Sequence, residues 1–542
     1  MRAGIVKRRG SVVTTFNAPS MSFFEAMFGD DFPGEFANGD GRSCKSKRTL
    51  LDLPTEMLEL ICQHLSNMDL KRLRLANRQL AEEVELRIDR VYVSPNRANL
   101  DCLNNILNHP LYRLQVQEIV WDEAQLVSIA TIQEFCQVLE YDASIAKMVL
   151  GDHLKTLMRS GGDDTEFEQI KVEDCVQEDG RPNDIGKAIL LSANDHKSRY
   201  YIANNAAKMS VKESYELYQK LYQDEKEIIK RGWDVALLQR ALTELPTLKR
   251  ITLTSEVWTN RSHFPSYHTP FFRALPAGFR MPSVVGSVLK RPLPEQRLSI
   301  DWRGYSIIMS SLVTCPVPHL REFIVDSGSE RIGLPHELVA LPNIDYTNTL
   351  RMLSSTPLKM LQLPFCDSTA FDHSASRVGL DLLEHVITAA PHLEHLDLKF
   401  CIFLEEENLR FPLSYGFFER NCPGLKHIAL RHAQARFDWL FNLVTTSKNL
   451  QSILLDKIHI IDPAGRRPDE IEPLFFTRLK EHFAAASQQG PSFTWIGDIP
   501  AQPNYQNDYQ KRLLCQVLDD DLNAFLYDDG ELPFYTVDRI WP

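Results

Sequence analysis

Apolar residues recur along this chain in two rhythms: the 3.6-residue period of a helix and the alternation of a strand. The strand rhythm sits in a phrase, Leu-x-x-(Leu/Ile/Phe)-x-(Leu/Val). It appears at Leu248/Ile251/Leu253, Leu320/Phe323/Val325 and Leu358/Leu361/Leu363, then at Leu393/Leu396/Leu398, Leu425/Ile428/Leu430 and Leu450/Ile453/Leu455. A degraded copy stands at Leu298/Ile300, and Val116/Ile119/Trp121 reads as an early one. Each phrase predicts a short strand with its alternate side chains turned inward. Proline precedes most of them (Pro246, Pro318, Pro357, Pro391, Pro423) and stops the helix before it. Three such helices show in the spacing i, i+3, i+4, i+7: Leu238/Ala241/Leu242/Leu245, Leu383/Val386/Ile387/Ala390 and Phe437/Leu440/Phe441/Val444.

Helix, stop and strand repeated over residues 236–500 describe a solenoid in which each unit buries its apolar face on the next. This region resembles a leucine-rich repeat array. It is an irregular one, with starts at 320, 358, 393, 425 and 450, and the asparagine such repeats place after the strand is missing. A compact α/β domain of similar helix–strand units is the rival architecture. Strand alternation turns Gln362, Asp397, Lys399, Arg431 and Asp456 outward, which makes them the candidate contacts for a bound protein.

The texture near residue 50 is different. Pro54 sits where a first helical turn accepts proline, and Glu56 suits the positive end of the helix dipole. Leu58, Ile61, Cys62 and Leu65 then form one apolar stripe. Asp69 is placed to cap a second helix carrying Leu70 and Leu73, and Leu80, Val84 and Ile88 continue into a third segment. Three short helices in about 40 residues cannot bury all these side chains among themselves. Part of the apolar surface has to be covered by the rest of the chain or by a partner.

Residues 49–92 resemble an F-box. The likeness rests on Leu53-Pro54-x-Glu56, then Leu58, Ile61, Leu65, Asp69-Leu70, Leu73 and the pair Asn77-Arg78. It departs at Gln79-Leu80-Ala81, where many F-boxes carry a tryptophan. The resemblance implies docking on the Skp-type adaptor of a cullin–RING ubiquitin ligase. Leu53, Pro54, Glu56, Leu58, Ile61, Leu65, Leu70 and Leu73 are the candidate adaptor-binding residues, with interface and internal core not separable among the leucines. An F-box, a helical insert, loose repeats and a terminal segment like Asp521 to Phe534 together resemble F-box proteins of filamentous fungi.

The expected organisation is therefore α/β: a solvated tail (1–48), a three-helix F-box (49–92), a mainly helical region (93–235), the irregular leucine-rich-repeat-like solenoid (236–500) and a C-terminal cap (501–542). In the helical region, Tyr215, Tyr218, Tyr222 and Ile229 form a stripe expected to be core. Residues 162–179 carry eight acids against Lys171 alone and read as a solvated acidic loop. The cap is a helix with Leu514, Val517, Leu518, Leu522 and Phe525 on one side, ending at Asp528-Asp529-Gly530.

Acids outnumber bases 72 to 60, which argues against a general nucleic-acid-binding face. No apolar run reaches the length of a membrane span. The ten scattered cysteines form no CxxC pair and read as reduced thiols, with cytoplasm or nucleus the expected location. Dinucleotide, zinc-protease and hydrolase signatures are absent. The loop Gly180 to Ala188 has one residue too many for a phosphate loop, and His392 with His395 lack further metal ligands. No catalytic residue, metal or cofactor is expected. The expected function is a non-catalytic substrate-receptor subunit, linked through the adaptor to cullin and RING subunits and holding a protein substrate on its repeats. A repeat-type scaffold without a ligase is the alternative.

Overall fold

A computed structural model describes residues 50, 53–65, 67–139, 171–176, 183, 185–186, 209–254, 267, 269–276, 278–280, 302–327, 333–335, 338, 342–366, 382–401, 416–461, 468–486, 490–496 and 522–527. The tail (1–48), most of the acidic run, Leu298/Ile300 and Leu514 to Leu518 lie outside the described residues. The chain divides into two compact units at Asp89/Arg90.

The first unit has three helices: α1 (Thr55–His64), α2 (Asn67–Ala76) and α3 (Arg78–Glu83). Helix α2 starts two residues before Asp69, which lies in its first turn and pairs with Arg72 at 3.2 Å. Asn77 caps α3 by accepting from the Gln79 amide. Leu58, Leu70, Leu80 and Val84 close a small core, with Leu50, Cys62, Leu65, Leu73 and Leu86 packed around it. Leu80 thus fills the core at the point where the sequence departs from the F-box pattern. The extended segment after α3 is tied back by Arg87, which donates to the carbonyls of Gln63 and Leu65.

The second unit is mixed α/β around a ten-stranded, parallel sheet. Its strands are β1 (Arg90–Val93), β2 (Glu118–Asp122), β3 (Arg250–Thr254), β4 (Glu322–Asp326), β5 (Leu334–Pro335), β6 (Met360–Cys366), β7 (His395–Cys401), β8 (His427–Arg431), β10 (Ser452–Asp456) and β12 (Ser492–Ile496). Their spatial order follows the chain: β1-β2-β3-β4-β6-β7-β8-β10-β12, with β5 beside β6. Two further short strands, β9 (Gln434–Arg436) and β11 (His459–Ile461), pair separately.

A helix stands before each of these strands from β2 on, apart from the short β5. They are α4 (Arg97–Asn108), α5 (Val211–Arg231) with α6 (Trp233–Glu244), α8 (Arg303–Thr314), α9 (Ile344–Ser355), α10 (Leu383–Thr388), α11 (Phe417–Asn421), α12 (Phe437–Thr446) and α13 (Pro468–Ala486). The five-residue α7 (Pro270–Ala274) packs on α4. Successive helices pack in sequence, α6 on α8, α8 on α9, α9 on α10 and α12 on α13.

The recurrent phrase is the core. Its fourth position forms one continuous ladder across the strands: Val91, Ile119, Ile251, Phe323, Leu361, Leu396, Ile428, Ile453 and Phe493. Every one of these side chains is buried, and parallel register makes the pattern repeat strand after strand. The sheet therefore starts at Arg90, well before residue 236. Residues 93–235 supply α4, α5 and the start of α6 but also β2, the strand that the early phrase Val116/Ile119/Trp121 marks.

The tyrosine stripe of α5 is core, shifted by one position. Tyr218 is buried with Leu126, Ile129, Phe135 and Val138, while Tyr215 and Tyr222 pack alongside. The inward residue near the helix end is Ile228, and Glu225 comes inside with it. Ser210 and Glu213 close α5 with a capping box, and Gly232, at φ 63°, turns the chain into α6.

Buried charge gathers where these elements meet. Glu123, just after β2, accepts from the Gly304 amide of α8 at 2.7 Å and from the Trp121 indole at 2.9 Å. Asp234 of α6 accepts from Arg303 at 2.6 Å and 3.2 Å. Glu225 accepts from the Leu126 amide at 3.0 Å. A Cβ on Gly304 would stand 2.1 Å from the Trp121 indole nitrogen and 2.2 Å from the Glu123 carboxylate.

Candidate functional site

Helix α1 has two apolar faces. Leu58 looks into the three-helix core, with Cys62 and Leu65 packed beside it. On the other side Met57 is 44% exposed and Leu60 50% exposed. Ile61 is half-buried, and the strip runs back to the Leu53-Pro54 corner, where Leu53 is half-buried and Pro54 exposed. Spacings of three and four residues put Pro54, Met57, Leu60 and Ile61 on one stripe of the helix. On α2, Leu75 is 87% exposed.

This burial divides the eight candidate adaptor-binding residues. Leu58 and Leu70 belong to the unit's own core, and Leu65 and Leu73 pack against it. Leu53, Pro54, Glu56 and Ile61 remain partly or fully accessible. Sequence reading missed Met57 and Leu60, although their spacing from Pro54 carries the signal. A helical period locates a stripe but does not rank two stripes on the same short helix.

The five candidate substrate contacts come together on adjacent strands. Gln362 of β6 is in register with Asp397 of β7. Lys399 of β7 is in register with Arg431 of β8, and Arg431 with Asp456 of β10. Three of them also bind one another. Arg431 donates to Asp397 at 2.9 Å and 3.0 Å and to Asp456 at 3.2 Å. Burial acts to lower the Arg431 pKa, but the Asp397 and Asp456 charges outweigh it and raise it. Gln362 donates to the Val325 carbonyl at 3.3 Å, and Lys399 to the Ser327 hydroxyl at 3.3 Å.

The same face is more deeply buried toward the start of the sheet. There Thr252 donates to Glu118 at 2.7 Å, Arg90 pairs with Glu118 at 2.6 Å, and Tyr267 donates to Asp326 at 2.5 Å. Thr252, Thr254 and Asp122 are buried, whereas Gln362, Asp397, Lys399 and Arg431 are half-buried; Asp456, expected to face outward, is instead buried against Arg431, which neutralises it. The more accessible part of the face thus lies over β6, β7 and β8.

His395 stacks on His427, with ring centroids 4.2 Å apart, and His427 shares a 2.7 Å hydrogen bond with Ser452. Burial lowers both imidazole pKa values, and each ring also feels a positive neighbour in Lys426. His392 is exposed. Among the described residues, no group of three or more His, Cys, Asp or Glu side chains could hold a metal ion. Among them, too, no helix is long and apolar enough to cross a membrane.

No protein-family model matches the chain, and no curated protein matches it.

Proposed function

We propose that this chain is a substrate-receptor subunit of an SCF-type cullin–RING ubiquitin ligase and is not itself catalytic. The first unit would dock on a Skp-type adaptor, and the sheet would hold a protein substrate near the ubiquitin-carrying enzyme, in the cytoplasm or nucleus. The work is then one of proximity, raising the effective concentration of substrate lysines at the thioester.

One observation carries the reading. The three-helix unit completes its own core with Leu58, Leu70, Leu80 and Val84 and still presents Met57 and Leu60 beside an accessible Leu-Pro corner. Covering a large apolar side chain is worth roughly 1.5–3 kcal/mol, so a few such anchors sustain a stable interface. The sheet adds support. Its strands run in strict chain order with no reversal, as expected of an irregular leucine-rich-repeat-like solenoid and not of a doubly wound domain, whose order reverses at a switch point.

The test is co-purification of the full chain with a Skp-type adaptor. Met57→Asp with Leu60→Asp is expected to abolish capture while leaving the thermal midpoint unchanged, because neither side chain is in the core. Leu53→Ala with Pro54→Ala should weaken capture as well. An unmodified chain that fails to retain the adaptor would overturn the ligase reading and leave the repeat-type scaffold. Capture undiminished by both double variants would overturn the docking face.

A further inference from the structure

The second position of each phrase lies just ahead of its strand, and these positions form a row of their own. Backbone hydrogen bonds link them in order: Lys249 to Gln117, Arg321 to Lys249, Lys359 to Arg321, Glu394 to Lys359, Lys426 to Glu394 and Gln451 to Lys426. Neighbours therefore stand about one strand spacing apart, about 4.8 Å. The row reads Gln117, Lys249, Arg321, Lys359, Glu394, Lys426, Gln451, with four cations and one anion on a chain whose net charge is −12.

Lys249 and Lys359 are exposed, and Arg321 and Lys426 are half-buried. Glu394 pairs with Lys359 at 2.5 Å and with Lys426 at 2.7 Å, and the two ammonium groups hold its carboxyl down to about 2. Among the described residues, Lys249 and Arg321 have no carboxylate at ion-pair distance; the Arg321 guanidinium donates to the Pro318 and Leu320 carbonyls, and the Lys249 ammonium to the Gln117 side chain at 3.5 Å. Like charges side by side on neighbouring strands repel. Lys249 and Arg321 stand side by side with no carboxylate between them, and Lys359, next in the row, has its charge met by Glu394, so the Lys249–Arg321 end is where an outside anion would relieve repulsion. The Asp397–Arg431–Asp456 cluster is the opposite case, its charges already spent on one another.

We propose that this rim, at the strand entrances, seats an extended acidic segment of the substrate polypeptide. The inference rests on the sheet being the substrate-holding part of the chain. From Lys249 to Lys426 is four strand spacings, about 19 Å, which an extended peptide of about six residues covers. A nucleic acid fits less well: the row holds no aromatic side chain on which bases stack, and the acidic chain repels a long polyanion.

The test uses the full chain and a fluorescein-labelled peptide of six consecutive glutamates, read by anisotropy at two salt concentrations. Binding is expected to weaken with salt. Lys249→Glu with Arg321→Glu should weaken it tenfold or more, and Arg72→Glu with Arg78→Glu, an equal charge change in the first unit, by less than twofold. Glu394→Gln should tighten it several-fold by freeing both lysines, a gain that damage to the fold does not produce. The proposal is overturned if the peptide does not bind, if both double variants weaken it equally, if Glu394→Gln leaves it unchanged, or if a single-stranded oligonucleotide of equal charge binds more tightly. Adaptor capture measured on the same samples separates the two readings. Capture without peptide binding sinks the rim alone, and lost capture with intact peptide binding sinks the ligase assignment alone.

Discussion

Two buried glutamates make the stability of this chain sensitive to alkali. Burial pushes the Glu123 carboxyl up to about 7, against the pull of the Gly304 amide, the Trp121 indole and Arg303. Burial likewise raises Glu225 to about 8, with the Leu126 amide, Lys226 and Arg303 opposing and Asp122 assisting. In the unfolded chain both groups return to the ordinary carboxylate range near 4.5. Between that value and 7 to 8 the folded state holds protons that the unfolded state has released, so stability falls as pH rises, by roughly 1.4 kcal/mol per unit for each group. The thermal midpoint is expected to be higher at pH 5 than at pH 8. Glu123→Gln, which keeps an acceptor for Gly304, should flatten that dependence, and an unchanged pH profile in the variant would refute the assignment. Gly304→Ala should destabilise at every pH, because its methyl group meets both the Trp121 ring and the Glu123 carboxylate. About 1–3 kcal/mol is the usual cost of such overpacking, measurable as a lower midpoint in urea.

Among the elements, the repeat units near the end of the sheet share a device beyond the strand phrase. Strand β8 is followed by His432 and β10 by Lys457, both at φ 54°. Each turns the chain into a short second strand, β9 or β11, and these two pair with each other. A left-handed backbone is costly for a side chain with a Cβ and free for glycine. Lys457→Gly is expected to raise the thermal midpoint slightly, and Lys457→Val to lower it by several degrees; the reverse order would show that the side chain, not the backbone, governs the turn. Of these elements, the main strands were legible in the sequence because buried Leu, Ile and Phe recur at fixed offsets. The turns were not, since His and Lys carry none of the signal glycine would. Helix α1 was legible in position but not in which of its faces is covered. Leu58 and Leu60 are chemically identical, and only the packing of α2 and α3 decides which is covered.

At the scale of the whole molecule, the last strand among the described residues is met at its edge by a side chain. Asn523, in helical residues 522–527, accepts from the Phe493 amide at 2.9 Å and donates to its carbonyl at 2.7 Å, doing at the edge of β12 what another strand's peptide would do. Lys480 of α13 lies over the Phe525 ring, 4.5 Å from its centroid, which helps hold the segment there. Asn523→Ala should leave an exposed strand edge able to template pairing with a second copy. Concentration-dependent self-association is the expected result in sedimentation, and a variant that stays monomeric throughout would remove the edge from consideration. The order of the later strands was readable from their phrases, but the beginning of the sheet was hidden by its own brevity. Strand β1 offers only Val91 and Val93 to the core, and more than 120 residues separate β2 from β3, which breaks any period. Strict succession has a further consequence for how such a chain can change. In the sheet each main strand pairs only with the strands beside it, so one more helix and strand spliced between β7 and β8 would widen the sheet by a single rung and leave every existing strand pairing but one as it was. A lineage can in this way lengthen its sheet without inventing a new topology.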